Sequence, residues 1–346
     1  MSKKVLITGG SGYFGEILAK KLLERGNECK ILDINAPDKS IFNDVNFINA
    51  DIRDFDAVRD ACKNTDFVFH NVAQVPLAKN KKLFDSVNIT GSKNIIDACI
   101  KEGVEHLSYT SSSAIYGVPK NNPVSEQTEP RPMESYGFAK LKGELLCKNV
   151  EDNILPISII RPRTILGAGR LGIFQILFEW IYQNYNVPVF DGGNNQYQFI
   201  HAKDLADACI SAAEIGNSET YNIGASEFGT MNELLSFLIK SVNSESHVKS
   251  LNSNLVIPFM KIFSALRLSP LGPYHAMMYG KSMYFDTQKA QRKLNWKPKY
   301  SNNMMVLESY KNYIQSRNEI LQNNLVKSKH KSYVKQGILS LVGRLL

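Results

Sequence analysis

The five cysteines of this chain never fall into a Cys-x-x-Cys pair. They are scattered at Cys29, Cys62, Cys99, Cys147 and Cys209, most of them in apolar surroundings. Such spacing argues against a zinc site and against a disulfide framework, so no metal is expected and the thiols read as reduced core residues. Long apolar runs are lacking too, and no stretch is fit to cross a bilayer as a helix. Only Met1-Ser2-Lys3-Lys4 precedes the first apolar run, which leaves no room for a signal peptide. The cytoplasm is the expected location. No module interleaves arginines with aromatics, so a nucleic-acid partner is not expected despite a formal net charge of +8. Much of that excess is local: residues 325–346 carry Lys327, Lys329, Lys331, Lys335 and Arg344 and no acid. What is present, 346 residues of which 43% are hydrophobic, suffices for one large α/β domain and a smaller part.

The chain is organised around its beginning. Val5-Leu6-Ile7 reads as a buried parallel strand, and Gly9, Gly12 and Gly15 form the turn into a helix over residues 14–25. A turn of this kind brings backbone close to a pyrophosphate, and the helix N-terminus, with Tyr13 and Phe14, faces it with free N–H groups. A second strand, residues 29–32, ends in Asp33, where a carboxylate takes both ribose hydroxyls of an adenosine and repels a ribose phosphate. NAD is therefore favoured over NADP. A strand near residues 45–48 leads to Asp51 and Ile52, read as the adenine contacts, while Asp54 caps the helix from Phe55. The strand at residues 67–70 runs into Asn71-Val72-Ala73-Gln74. Small residues there let backbone approach the cofactor, and His70 reads as a structural histidine. A helix over residues 82–101 carries Asn88, expected to bond backbone. The alternation of strands and helices predicts a parallel, doubly wound sheet with ligands at its carboxyl edge.

The second decisive feature is Tyr136-Gly137-Phe138-Ala139-Lys140. Positions i and i+4 share a helix face, so phenol and ammonium lie side by side. A phenol titrates near ~10, and to act as a base near neutrality it must fall by roughly 3 pH units, about 4 kcal/mol. A lysine one turn away and a positive nicotinamide ring are the available sources. Ser112, at the end of the preceding strand, donates to the same substrate oxygen.

With these residues in place the chain resembles the extended short-chain dehydrogenase/reductases, the NAD-dependent epimerase/dehydratase family. The resemblance spans residues 3 to about 317. It is carried by residues 8–15, Asp33, Asp51-Ile52, Asn88, residues 111–117, Tyr136 to Lys140, Arg161-Pro162, residues 199–206 and residues 286–296. It implies an α/β Rossmann-type sheet, tightly held NAD, Tyr136 as acid/base, Lys140 on the nicotinamide ribose and Ser112 as partner of the substrate hydroxyl. It also implies a small-molecule substrate and a homodimer.

The family pattern breaks where substrate is chosen. Dehydratases of the family carry an Asp-Glu pair after the catalytic hydroxyl; here Ser113 and Ala114 stand there, so elimination of water has no catalyst. The Asn that holds the phosphates in sugar-nucleotide epimerases is replaced by Thr164, and the arginine before the Phe-Ile-His segment by Tyr197 or a close neighbour. Arg163 and Arg170 are alternative sources of charge, although Arg163 reads equally well as a surface or interface residue. Gln74, Ser113, Arg163 and Tyr197 are the candidate substrate residues. The expected activity is epimerisation or oxidation at a secondary alcohol of a sugar, which the resemblance implies to be nucleotide-linked; the alternative is a hydrophobic alcohol, as in the 3β-hydroxysteroid dehydrogenase and flavonol-reductase branch.

Domain boundaries are expected at 1–165 for the dinucleotide part, with 203–224 returning to it, and at 166–318 for a substrate-binding part. Asn243 to Asn254 reads as a loop, and Leu268 to Tyr274 as lid-like chain. In the tail, 319–346, Val334, Ile338, Leu341, Val342 and Leu345 share one helical face behind the lysines. Such a basic amphipathic helix fits docking on anionic lipid at the inner face of a membrane, or on a second subunit.

Overall fold

The computed structural model describes residues 2–38, 45–74, 81–170, 172, 174–265 and 278–322. Seven parallel strands make the central sheet: β1 (Lys4–Thr8), β2 (Glu28–Asp33), β3 (Asn46–Asn49), β4 (Phe67–His70), β5 (His106–Thr110), β6 (Ile157–Pro162) and β10 (Thr220–Ile223). Their spatial order is β10-β6-β5-β4-β1-β2-β3. The order reverses between β1 and β4, and the crevice at that reversal is where such sheets take their ligands. Val5, Leu6 and Ile7 are wholly buried because both faces of the strand are covered.

On one face lie α1 (Tyr13–Glu24) and α7 (Ala202–Ile215), packed on Val5, Ile7 and Ile31. On the other lie α2 (Phe55–Cys62), α4 (Gly91–Glu102) and α5 (Ser135–Lys148), over Leu6, Val68 and Leu107. Strand β10, from the returning segment, pairs with β6 in register Thr220 to Ile159. All five cysteines are free and buried.

A second core gathers α6 (Phe174–Tyr182), β8 (Val187–Phe190), α8 (Met231–Ser241) and α11 (Asn302–Gln322). Helix α8 opens with a capping box between Thr230 and Glu233. The stretch from Asn243, expected to be a loop, instead forms β11 (Val248–Leu251), parallel to β8, and then enters α9 (Ser253–Ala265). Pairing with Val187–Phe190 overrides its polar composition. The single helix expected over residues 82–101 is three pieces: α3 (Lys81–Asp85), a wide π turn at Ser86–Thr90, and α4. The remaining elements are β7 (Thr164–Leu166), β9 (Phe199–His201) and α10 (Gln288–Lys293). The lid-like stretch and the amphipathic helix from Val334 lie outside the described residues.

One buried ion pair joins α5 to the sheet. The Arg161 guanidinium donates from Nε and Nη2 to the two oxygens of Glu144, at 2.9 and 2.6 Å, with both side chains essentially inaccessible. Ser111 donates to the same carboxylate at 2.5 Å, and Arg161 Nη1 donates to the Tyr116 hydroxyl at 2.6 Å. Removing one partner strands the other charge in the interior, which costs about 3–5 kcal/mol. Glu144→Ala is therefore expected to lower stability to urea by about 3 kcal/mol or more; a loss below about 1 kcal/mol would mean that the pair does not hold α5 to the sheet.

Candidate active site

A cavity of about 590 Å³ runs along the carboxyl edge of the sheet. At one end stands the glycine turn. Gly9 has φ of +72°, and a Cβ on it would meet the Val72 backbone at 3.0 Å. A Cβ on Gly15 would stand 2.1 Å from the Gly9 carbonyl oxygen, so α1 could not pack this tightly on the turn with any side chain there. No side chain caps α1; Gly12 holds the N-cap, and Gly9, Gly12, Tyr13, Phe14 and Gly15 all face the cavity. Its first-turn amides are thus open to an anion.

Asp33, at the end of β2, accepts from the backbone N–H of Ser11 at 3.2 Å and of Asn35 at 3.0 Å. Burial nevertheless holds its carboxyl above the ordinary range. Asp51 and Ile52 line the same end. The Asp51 carboxylate is engaged by Arg53, which donates from Nε and Nη2 at 2.9 and 2.6 Å and draws its pKa down. Asp54 caps α2 by accepting from Ala57 N–H. Val72, Ala73 and Gln74 form the next wall. The Asn88 side chain, carried by the π turn, accepts from Gln74 N–H at 2.7 Å and donates to Gln74 C=O at 3.0 Å, which fixes that wall. His70 is fully buried and shares a 2.8 Å hydrogen bond with the Thr8 hydroxyl; burial depresses its pKa to about 3, so it stays neutral.

The catalytic end is built by α5 and the turn after β5. Glu134 caps α5, its carboxylate accepting from the N–H groups of Tyr136 and Gly137, each at 2.7 Å. Gly137 lets the helix approach that turn: a Cβ would stand 2.6 Å from the Ala114 carbonyl oxygen. Tyr136 lines the same cavity as Ser112. Burial raises its pKa, Ser112 and the charge of Arg170 work the other way, and Glu134 adds to the rise. The Lys140 ammonium, buried on the next turn, lies 4.5 Å from the centre of the Tyr109 ring, and burial lowers its pKa to about 8. The cation that draws the pKa of the phenol down is Arg170, whose guanidinium sits 5.6 Å from the Tyr13 ring, rather than the Lys140 expected beside it.

Arg163 is not at the surface. It is 2% exposed, donates from Nη1 to the Ser113 hydroxyl at 2.9 Å, and lies 4.8 Å from the Tyr197 ring and 5.5 Å from the Phe285 ring. Tyr197 in turn shares a 3.1 Å hydrogen bond with Thr164. The structure therefore brings all four candidate substrate residues to one cavity. Sequence reasoning missed Glu134, whose role as a cap to α5 could have been read from its place two residues before Tyr136. It also missed Met231, Met278 and Tyr279, which line the cavity together with Phe174 and Leu177 of the apolar helix α6. Among the described residues no group of His, Cys, Asp and Glu is arranged to hold a metal.

The model of the NAD dependent epimerase/dehydratase family matches residues 5–224. This chain belongs to that family. It is an enzyme of the extended short-chain dehydrogenase/reductase type, and the cofactor of the family is NAD. An uncharacterized protein of Sinorhizobium fredii, y4nG, is 50% identical over 98% of this chain and 85% of its own length. A putative UDP-glucose 4-epimerase of Methanocaldococcus jannaschii is 30% identical over 68% of this chain and 81% of its own length. Among solved structures, MoeE5 in complex with UDP-glucose and NAD superposes with a TM-score of 0.73 at 21% identity, covering 91% of this chain and 99% of that one, which shows a shared fold.

The glycine cradle, the uncapped start of α1 and the Asp33 carboxylate suit the phosphates and adenosine ribose of NAD. Asp33→Ser removes a charged acceptor worth about 1.5–3 kcal/mol. Titration of the protein with both cofactors is expected to show NAD weakened by roughly tenfold or more, with NADP gaining ground. An unchanged NAD affinity would remove Asp33 from the ribose site.

Proposed function

We propose that this chain is an NAD-dependent epimerase or dehydrogenase acting on a secondary alcohol of a sugar, nucleotide-linked, with Tyr136 as acid/base. The observation that carries the reading is that Ser112, Tyr136 and Lys140 line one cavity with the glycine turn, Ser112 drawing the pKa of the phenol down against burial. Bound against Gly9, Gly12 and Gly15, NAD supplies the hydride acceptor and donor. The protein's own part is to hold the alcohol and move its proton. Ser112 aligns the substrate oxygen, and Tyr136 takes its proton when the alcohol is oxidised and returns it on reduction. Arg170 stabilises the phenolate, and Lys140 holds the nicotinamide ribose. The M. jannaschii relative, a putative UDP-glucose 4-epimerase by its name, supports a nucleotide sugar.

A hydrophobic alcohol is the second reading. It is favoured by the wall of Phe174, Leu177, Met231, Met278 and Tyr279 at the end of the cavity where Tyr197 stands. A homodimer and docking of the tail on lipid remain proposals that accompany this reading.

Tyr136→Phe is expected to lower turnover by roughly a hundred- to ten-thousand-fold while the protein still takes up NAD. The check is conversion of UDP-sugars, followed by separating the products, beside NADH formation with apolar alcohols. Conversion without net NADH supports the first reading, and NADH accumulating only with apolar alcohols supports the second. Full turnover in the variant would rule out the acid/base role.

A further inference from the structure

Large apolar side chains that reach solvent are thinly scattered over most of this chain, and α9 is the exception. Leu255, Phe259 and Ile262 are 67%, 60% and 54% exposed. They recur at i, i+4 and i+7, and Pro258, also exposed, fills the i+3 place, so the four form one stripe along the helix. No other helix among the described residues carries three large apolar side chains more than half exposed. Val256, Ile257 and Met260 are half-buried beside the stripe, so α9 is apolar on nearly every side. A helix of that composition belongs in a core or against a lipid phase rather than in water. Its 13 residues span about 20 Å, short of the roughly 30 Å of a bilayer core, which leaves a position in the plane of a membrane surface.

The start of α9 is tied to the second core. Asp191 accepts from the Ser253 N–H at 3.0 Å, the Gly192 N–H donates to the Ser250 hydroxyl at 2.9 Å, and β11, just before the helix, pairs with β8. The stripe is thus presented from a fixed place. Charge says what covers it. Between Glu245 and Asp286 the chain carries Lys249, Lys261, Arg267 and Lys281 and no acid, and α9 lies inside that stretch. After Glu319 it carries Lys327, Lys329, Lys331, Lys335 and Arg344, again without an acid. These nine cations exceed the whole net charge of +8, so the rest of the chain is almost neutral. Lys249 and Lys281 are exposed. A second copy seated by its own α9 would bring like charges together, and the tail of this chain is basic as well. An anionic apolar phase suits both the stripe and the charge.

We propose that α9 docks this protein on an anionic phospholipid bilayer. Leu255, Pro258, Phe259 and Ile262 enter the boundary between headgroups and acyl chains, and the cations of the same stretch meet lipid phosphates. This goes beyond the activity proposed above and does not depend on which alcohol is the substrate.

The test uses the full-length protein and vesicles of phosphatidylcholine, alone or mixed with phosphatidylglycerol, separated by flotation. The native protein is expected to float with the mixed vesicles, to stay behind with the neutral ones and to be released by salt. Combining Leu255→Ser, Phe259→Ser and Ile262→Ser should weaken binding to mixed vesicles by at least about tenfold while NAD uptake is kept. A second readout does not need the triple variant to fold well. Both natural tryptophans, Trp180 and Trp296, are buried, so in Phe259→Trp the added indole reports on α9. Its emission should move to shorter wavelength when mixed vesicles are added, with no such change in the native protein. Failure of the native protein to float, equal flotation with neutral vesicles, or an indole that vesicles leave unmoved would each overturn the proposal. Undiminished flotation of the triple variant would overturn it too, by assigning lipid binding to the tail alone. A native dimer that the triple variant breaks into monomers would make the stripe a contact between copies and overturn it likewise.

Discussion

Charge drawn out of water at the carboxyl edge of the sheet is the constraint on which this molecule turns. Burial pushes the Tyr136 phenol and the Asp33 carboxyl up, and the Lys140 ammonium down. Each shift opposes the ionised form that chemistry or binding requires. The fold answers this only in part, with Ser112 and Arg170 on the phenol and two backbone N–H groups on Asp33. NAD, the cofactor of the family, carries a ribose and a positive ring of the kind these groups lack. The same burial that strains the free site makes each of these contacts stronger once formed.

Elsewhere the interior settles its charges within the chain. Glu144 and Arg161 form a closed pair that also binds Ser111 and Tyr116, and so positions the turn bearing Ser112 against the helix bearing Tyr136. Glu179 does the same service for the second core, accepting from Tyr313 at 2.6 Å and from Arg317. These pairs hold the helices and turns around the cavity in place. Gly137 and Gly15 work to the same end by geometry, since each removes a Cβ that would hold a catalytic helix away from its turn.

What was legible in the sequence was what depends on near neighbours. The spacing of Gly9, Gly12 and Gly15, the carboxylate of Asp33 and the i, i+4 relation of Tyr136 and Lys140 are local, and so are the caps made by Asp54 and Thr230. Pairings between distant segments were not legible. Val248–Leu251 becomes a strand only because Val187–Phe190 lies alongside, and polar residues such as Lys249 and Ser250 hid it. Arg163 could be read as surface because nothing adjacent in sequence reveals Tyr197 and Phe285 on either side of it. Arg170 follows the Gly167-Ala168-Gly169 turn, and only the folded chain brings that turn to Tyr13 and Tyr136.

The central claim is that a buried phenol ionises when the cavity fills. Its most direct test is the ultraviolet absorbance of phenolate, titrated with and without NAD in the native protein and in a Tyr136→Phe reference. The expected result is one phenol, present only in the native protein, whose ionisation moves to lower pH when NAD is added. If no phenol responds to NAD, or the same response persists without the Tyr136 hydroxyl, the claim is contradicted.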